Sequence, residues 1–128
     1  WDVAAAATLV ATGPELGDRA LPDGPERLPL EQCEPEALMQ ALADRGCNRV
    51  LWECGPELAA AALRQGCIQE VAAVIAPKLM GGHAARTPLG DLGLERMEDV
   101  SSGVLQPPAG IGEDWLMRFR LRACIDTK

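Results

Sequence analysis

The residues best placed to do chemistry are Leu51-Trp52-Glu53-Cys54-Gly55-Pro56-Glu57-Leu58. Asn48 to Glu53 reads as a β-strand, Cys54-Gly55-Pro56 as a tight turn, and Pro56 to Gln65 as an Ala/Leu helix. Such a junction directs several backbone N–H groups, and the positive end of a helix dipole, at one spot. That suits a phosphate or pyrophosphate. Glu53 falls at the carboxyl end of the strand, the edge where ligands gather in open α/β sheets. The same residues also suit an ordinary strand-to-helix turn, with Gly55 supplying an unusual backbone angle and Pro56 starting the helix. The G-x-G-x-x-G fingerprint is absent, so spacing alone leaves both readings open.

Ala76-Pro77-Lys78-Leu79-Met80-Gly81-Gly82 forms a second candidate. A paired-glycine loop could close over a ligand, with Lys78 meeting an anion; it equally suits a flexible connection. His83 stands in the same loop without partners for catalysis or metal binding. Cys54 sits at a helix N-terminus, where thiol pKa values fall, but no histidine is placed to act as its base. The five cysteines are odd in number and lack C-x-x-C spacing, and with one histidine they assemble no zinc pattern. They read as reduced, mostly buried thiols of a cytoplasmic protein.

These residues need elements to hold them. Ala4 to Thr12 reads as a strand ending at Gly13-Pro14, Gly13 to Pro29 as a loop, and Leu28 to Gln32 as a short strand. Glu34-Pro35-Glu36 starts a helix that Gly46 ends, and Gly66 ends the helix from Pro56. Glu70 to Ala76 is a wholly apolar strand after its first residue. With Asn48 to Glu53 and the helix between them, it predicts a βαβ unit with a parallel pair. Leu94 to Val100 reads as a strand. Asp114 to Ala123 alternates, with Trp115, Met117, Phe119 and Leu121 on one side and Leu116, Arg118, Arg120 and Arg122 on the other. That predicts a half-exposed antiparallel strand.

The chain has 128 residues, enough for one domain with one core, and 3% aromatic content leaves that core to aliphatic side chains. A formal net charge of -7 argues against nucleic-acid binding, which needs clustered Lys and Arg. No apolar run approaches the roughly 20 residues of a membrane span, and no signal peptide is visible. The first residue is Trp1 rather than Met, so the sequence reads as cut from something longer.

Three stretches together resemble the reductase domain of the bacterial riboflavin-biosynthesis deaminase/reductase, within the dihydrofolate-reductase-like superfamily. Val50 to Leu58 is similar to the family's V-x-x-E-G-G-P-x-L. Gly66-Cys67-Ile68-Gln69-Glu70-Val71 is similar to its Gly-Leu-Val-Asp-Glu turn into a strand. Ala76 to Gly82 is similar to A-P-[KR]-L-[LI]-G-G. They occur in family order and spacing, and the likeness runs over roughly positions 1 to 123.

The resemblance implies a dihydrofolate-reductase-like α/β fold, with a mixed, mostly parallel sheet, flanking helices and an antiparallel last strand. It implies NADPH-dependent reduction of the ribosyl ring of 5-amino-6-(5-phosphoribosylamino)uracil to the ribityl chain, in a homodimer. Gly55 and the helix from Pro56 would then sit on the cofactor pyrophosphate, with Cys54 beside them. Glu53 would lie at the substrate and nicotinamide end, and Thr12 on the adenosine side. The sequence departs from the family at Cys54, where the first of two glycines usually stands. It also lacks the family's earlier strands, so residues 1–128 read as one N-terminally incomplete reductase domain. Two alternatives follow: a non-catalytic remnant that keeps the fold and dimer surface, or a superfamily reductase with another substrate.

Overall fold

A computed structural model describes residues 6–16, 25–83, 85 and 87–122. The chain divides into two compact units, Trp1–Leu51 and Trp52–Lys128.

In the first unit, β1 (Leu9–Thr12) and β2 (Glu26–Pro29) pair in parallel, with Val10 opposite Arg27 and Thr12 opposite Pro29. Leu28 is 7% exposed and anchors the pair. The first strand is shorter than Ala4 to Thr12; Ala4 and Ala5 lie outside the described residues. The second starts two residues earlier than expected, which brings Arg27 into the ladder. Helix α1 (Pro35–Asp44) begins on proline, whose missing N–H costs nothing in the first turn. It ends in a left-handed turn at Gly46 (φ 85). Gly46 N–H donates to the Ala43 carbonyl at 2.8 Å and Cys47 N–H to that of Leu42 at 3.0 Å, the two bonds of a Schellman motif. Arg45, the last residue of that turn, reaches Glu26 at 2.8 Å and ties helix to strand.

In the second unit, α2 (Pro56–Arg64) repeats the device. Gly66 has φ 68, and Gly66 and Cys67 N–H groups donate to Leu63 and Ala62 at 3.1 and 2.9 Å. Ala60 and Ala62 are the most buried residues of the helix, at 1% and 0% exposure. Small side chains on that face allow close packing. The sheet is built around β6 (Asp114–Leu121), which pairs antiparallel with β3 (Glu70–Ile75), β4 (Gly103–Leu105) and β5 (Ala109–Ile111). Its alternation holds from Met117 on, with Met117, Phe119 and Leu121 covered and Arg118 and Arg120 exposed, but not at the start of the strand, where Trp115 is exposed and Leu116 half-buried. Gly103 permits the β4 contact, because a Cβ there would lie 2.6 Å from the Arg120 carbonyl oxygen.

Several expectations are corrected. Residues 48–53 form no strand, and Leu51 is 77% exposed. A strand needs a hydrogen-bonded neighbour, and among the described residues β1 pairs with β2 and β3 with β6. The predicted βαβ unit with a parallel pair therefore does not form. The only parallel pair among the described residues is β1–β2; every pair in the sheet around β6 is antiparallel, so in place of one mixed, mostly parallel sheet there is a parallel pair and an antiparallel sheet. Strand β3, though apolar after its first residue, leaves Val74 and Ile75 exposed. In place of a strand at Leu94 to Val100 there is a short 3₁₀ turn, Met97–Asp99. Arg96 closes that turn by pairing with Glu98 and Asp99, a local contact that competes with extension. Of the four described cysteines, only Cys67 is buried; Cys33 and Cys47 are exposed and Cys54 is half-buried. Trp1, Ala123 and Cys124 lie outside the described residues.

Candidate functional site

Glu53, Cys54, Gly55 and Pro56 are contiguous in the second unit and lead into α2. Gly55 is the N-cap, with φ -72 and ψ 171. That is ordinary extended backbone, so the expectation of an unusual backbone angle at Gly55 is corrected: any residue could adopt it. Nor does packing require glycine, because a Cβ built there meets nothing within 4 Å. The fold gives no local reason for glycine here, and the space beside it is open to a ligand.

The donors of the junction are intact. No side chain caps the first turn of α2. Pro56 has no N–H to offer, which leaves the backbone groups of Glu57 and Leu58 at the positive end of the dipole. This donor set fits a pyrophosphate, and the empty Cβ direction at Gly55 fits its close approach. Glu53 is exposed and free to meet a ligand, and Cys54 is half-buried. Trp52, next to Glu53, is half-buried, and its indole Nε1 is shielded without a hydrogen-bond partner.

The end of the glycine-rich loop that precedes Leu94 supports this junction. Gly90 N–H donates to the Pro56 carbonyl at 2.9 Å, and Arg64 donates to the Asp91 carbonyl at 3.0 Å. The loop thus spans α2 from its first residue to its last. Upstream of it, Gly81 (φ 64) and Gly82 (φ 124) both take backbone angles that favour glycine. Leu79, Met80 and His83 beside them are exposed.

Thr12 belongs to the first unit. It is 5% exposed, and its Oγ1 accepts a hydrogen bond from Arg27 Nε at 3.0 Å. Thr12, Gly13, Pro14, Arg27, Pro29, Leu30 and Glu31 line an open groove at the end of β1. Arg27 is the addition here. No helix of the described residues is long and apolar enough to cross a membrane.

Comparison with known proteins gives these features a family. The riboflavin biosynthesis protein RibD of Synechocystis sp. is 42% identical over 120 residues, covering 91% of this chain and 33% of that protein. The 2,5-diamino-6-ribosylamino-4(3H)-pyrimidinone 5′-phosphate reductase of Methanothermobacter thermautotrophicus is 31% identical over 85 residues, covering 66% of this chain and 39% of that protein. Among solved structures, Acinetobacter baumannii RibD (form 2) superposes with a TM-score of 0.69 at 26% identity, over 88% of this chain and 30% of that one. The chain thus spans about a third of the length of the Synechocystis relative. The family model for the RibD C-terminal domain matches residues 3–108, and the chain belongs to that family.

Proposed function

We propose that this chain is part of an NADPH-dependent pyrimidine reductase of riboflavin biosynthesis, an oxidoreductase acting on 5-amino-6-(5-phosphoribosylamino)uracil. The observation that carries the reading is Gly55: a helix N-cap with ordinary backbone angles, an empty Cβ direction and no side-chain cap on the helix that follows. Membership of the family adds to it, as does the reductase named for the archaeal relative.

NADPH, when bound, supplies the hydride that reduces C1′ of the opened ribosyl group. The protein supplies position and electrostatics. Gly55 and the first turn of α2 hold the pyrophosphate through backbone donors. Cys54 flanks that seat, and Pro56 sets the direction of the helix. Glu53 would bind substrate at the nicotinamide end and, in its protonated form, would give the proton that the nitrogen on C1′ takes up as the hydride arrives, a role that general acid–base chemistry gives to a positioned carboxyl group. Thr12 serves the adenosine side. The reading carries with it a homodimer, a cytoplasmic setting, and residues 1–128 as part of one reductase domain.

The test is turnover. With substrate and NADPH, the intact protein should consume the cofactor in proportion to ribityl product formed, and Glu53→Gln should lower turnover more than NADPH affinity. Unchanged turnover in Glu53→Gln removes the role given to Glu53. A protein that binds NADPH yet leaves this substrate untouched favours a reductase of the same superfamily with another substrate. A protein that binds neither favours a non-catalytic remnant, for which the side chain at Cys54 speaks.

A further inference from the structure

The geometry points to Arg64 as a positioning residue for the cofactor seat, acting through the strap of residues 87–93. The inference rests on the reading of Gly55 and α2 as that seat, and adds what holds its donors in place.

Pro56 contributes no N–H, so Glu57 supplies the first backbone donor of α2. That N–H and the Pro56 carbonyl belong to one peptide unit, which is planar and rigid. Gly90 N–H donates to this carbonyl at 2.9 Å. The bond at one end of the unit therefore fixes the direction of the donor at the other. It also polarises the unit, because an amide whose oxygen accepts a hydrogen bond donates more strongly at its nitrogen. Glycine lets the strap come this close: a Cβ at position 90 would lie 3.2 Å from the Pro56 oxygen and 3.4 Å from Glu57 Oε1.

One backbone bond at a half-buried glycine is a weak hold. Arg64 adds a second, one residue further on, where its Nη1 donates to the Asp91 carbonyl at 3.0 Å. The strap is braced on both sides of these contacts. Thr87 Oγ1 donates to the Leu89 carbonyl, and the Asp91 carboxylate accepts from Gly93 N–H at 2.8 Å, with Gly93 at φ 67. These local bonds tie Gly90 and Asp91 into one short turn, so freeing Asp91 from Arg64 loosens the hold of Gly90 on Pro56. Arg64 itself stands about two helical turns from Pro56, roughly 12 Å along the axis. It therefore acts on the seat through the strap.

The experiment measures NADPH affinity, and amide hydrogen exchange at Gly90, in the intact protein as wild type, Arg64→Met and Arg64→Lys. Lysine keeps a donor for the Asp91 carbonyl; methionine keeps only an apolar stem. Arg64→Met should raise the Kd for NADPH roughly 3- to 10-fold, the worth of one exposed hydrogen bond, with the KM for NADPH rising more than kcat falls. Exchange at Gly90 should speed up in the same variant, and Arg64→Lys should recover part of both effects. Weaker NADPH binding with unchanged exchange at Gly90 would mean that Arg64 meets the cofactor itself, which overturns the positioning role. Faster exchange at Gly90 with unchanged affinity overturns it too, since the strap then does not govern the seat. So does a lower melting temperature with faster exchange throughout the protein, the mark of a purely structural arginine. Wild type that binds no NADPH at all fails the cofactor reading itself, and the proposal falls with it.

Discussion

Gly90 N–H donates to the Pro56 carbonyl at 2.9 Å, so the loop after the paired glycines is fastened to the first residue of α2. The approach is close: a Cβ on Gly90 would lie 3.2 Å from that carbonyl oxygen and 3.4 Å from Glu57 Oε1. Gly90→Val places two further carbons in this space. It should destabilise the protein by about 1–3 kcal/mol, the usual range for overpacking. Gly110→Ala, where a Cβ meets nothing within 4 Å, is the control and should change thermal unfolding little. Equal melting temperatures for Gly90→Val and wild type would show that the loop moves aside freely.

Gly55 separates folding from binding. Serine is a better N-cap than glycine, and its backbone preferences accommodate φ -72. Gly55→Ser should therefore melt at or slightly above the wild-type temperature. The same hydroxymethyl group occupies the space assigned to the pyrophosphate, so NADPH affinity should drop by about tenfold or more, some 1.4 kcal/mol. A variant that is both stable and wild-type in NADPH binding would remove Gly55 from the cofactor site.

Glu53→Gln keeps the size of the side chain and removes its charge. Turnover should fall by about 100-fold or more if the carboxylate moves a proton in the reaction. The Kd for NADPH should change little, since the pyrophosphate contacts are backbone donors of α2. Steady-state kinetics alongside direct binding separates the two. A loss confined to NADPH affinity would move Glu53 from the substrate to the cofactor.

The Glu26–Arg45 pair gives a pH signature. The Arg45 hydrogen bond, and then its charge, hold the Glu26 carboxyl below its usual value of 4.5. A lowered folded-state pKa stabilises the fold above the unfolded pKa, and that stabilisation is lost as pH falls through the folded value. Glu26→Gln should thus melt slightly below wild type at pH 7, with the gap closing below pH 4.5. Both side chains are largely exposed, at 40% and 60%, so added salt should shrink the gap as well. A gap that is flat from pH 7 to 3 would mean that the pair contributes nothing through charge.

The parts of the fold legible in the sequence are those fixed by local chemistry. Gly46 and Gly66 mark two helix ends because a left-handed residue closes a Schellman turn. Met117 to Arg122 shows its two faces because a strand has a period of two. The segment 48–53 was not legible, because an apolar run states only that it favours burial. Which strand it pairs with is a property of the whole sheet. Arg27 was missed for a related reason. The stretch Gly13 to Pro29, rich in Gly, Pro and charge, reads as loop, and the Thr12 contact exists only once β1 and β2 are in register. At the candidate site, Glu53 to Pro56 stood out by spacing, but the meaning of Gly55 did not. Its ordinary φ and empty Cβ direction are facts of three dimensions, and they replace a backbone argument with one of ligand approach.

The central claim is a cofactor seat at Gly55, and NADPH titration followed by tryptophan emission tests it most directly. Trp52 lies three residues from Gly55, with its indole partly shielded. Saturable quenching in wild type, stronger for NADPH than for NADH and weakened in Gly55→Ser, is the predicted result. Emission that NADPH leaves unchanged, in a protein otherwise shown to be folded, would contradict the account.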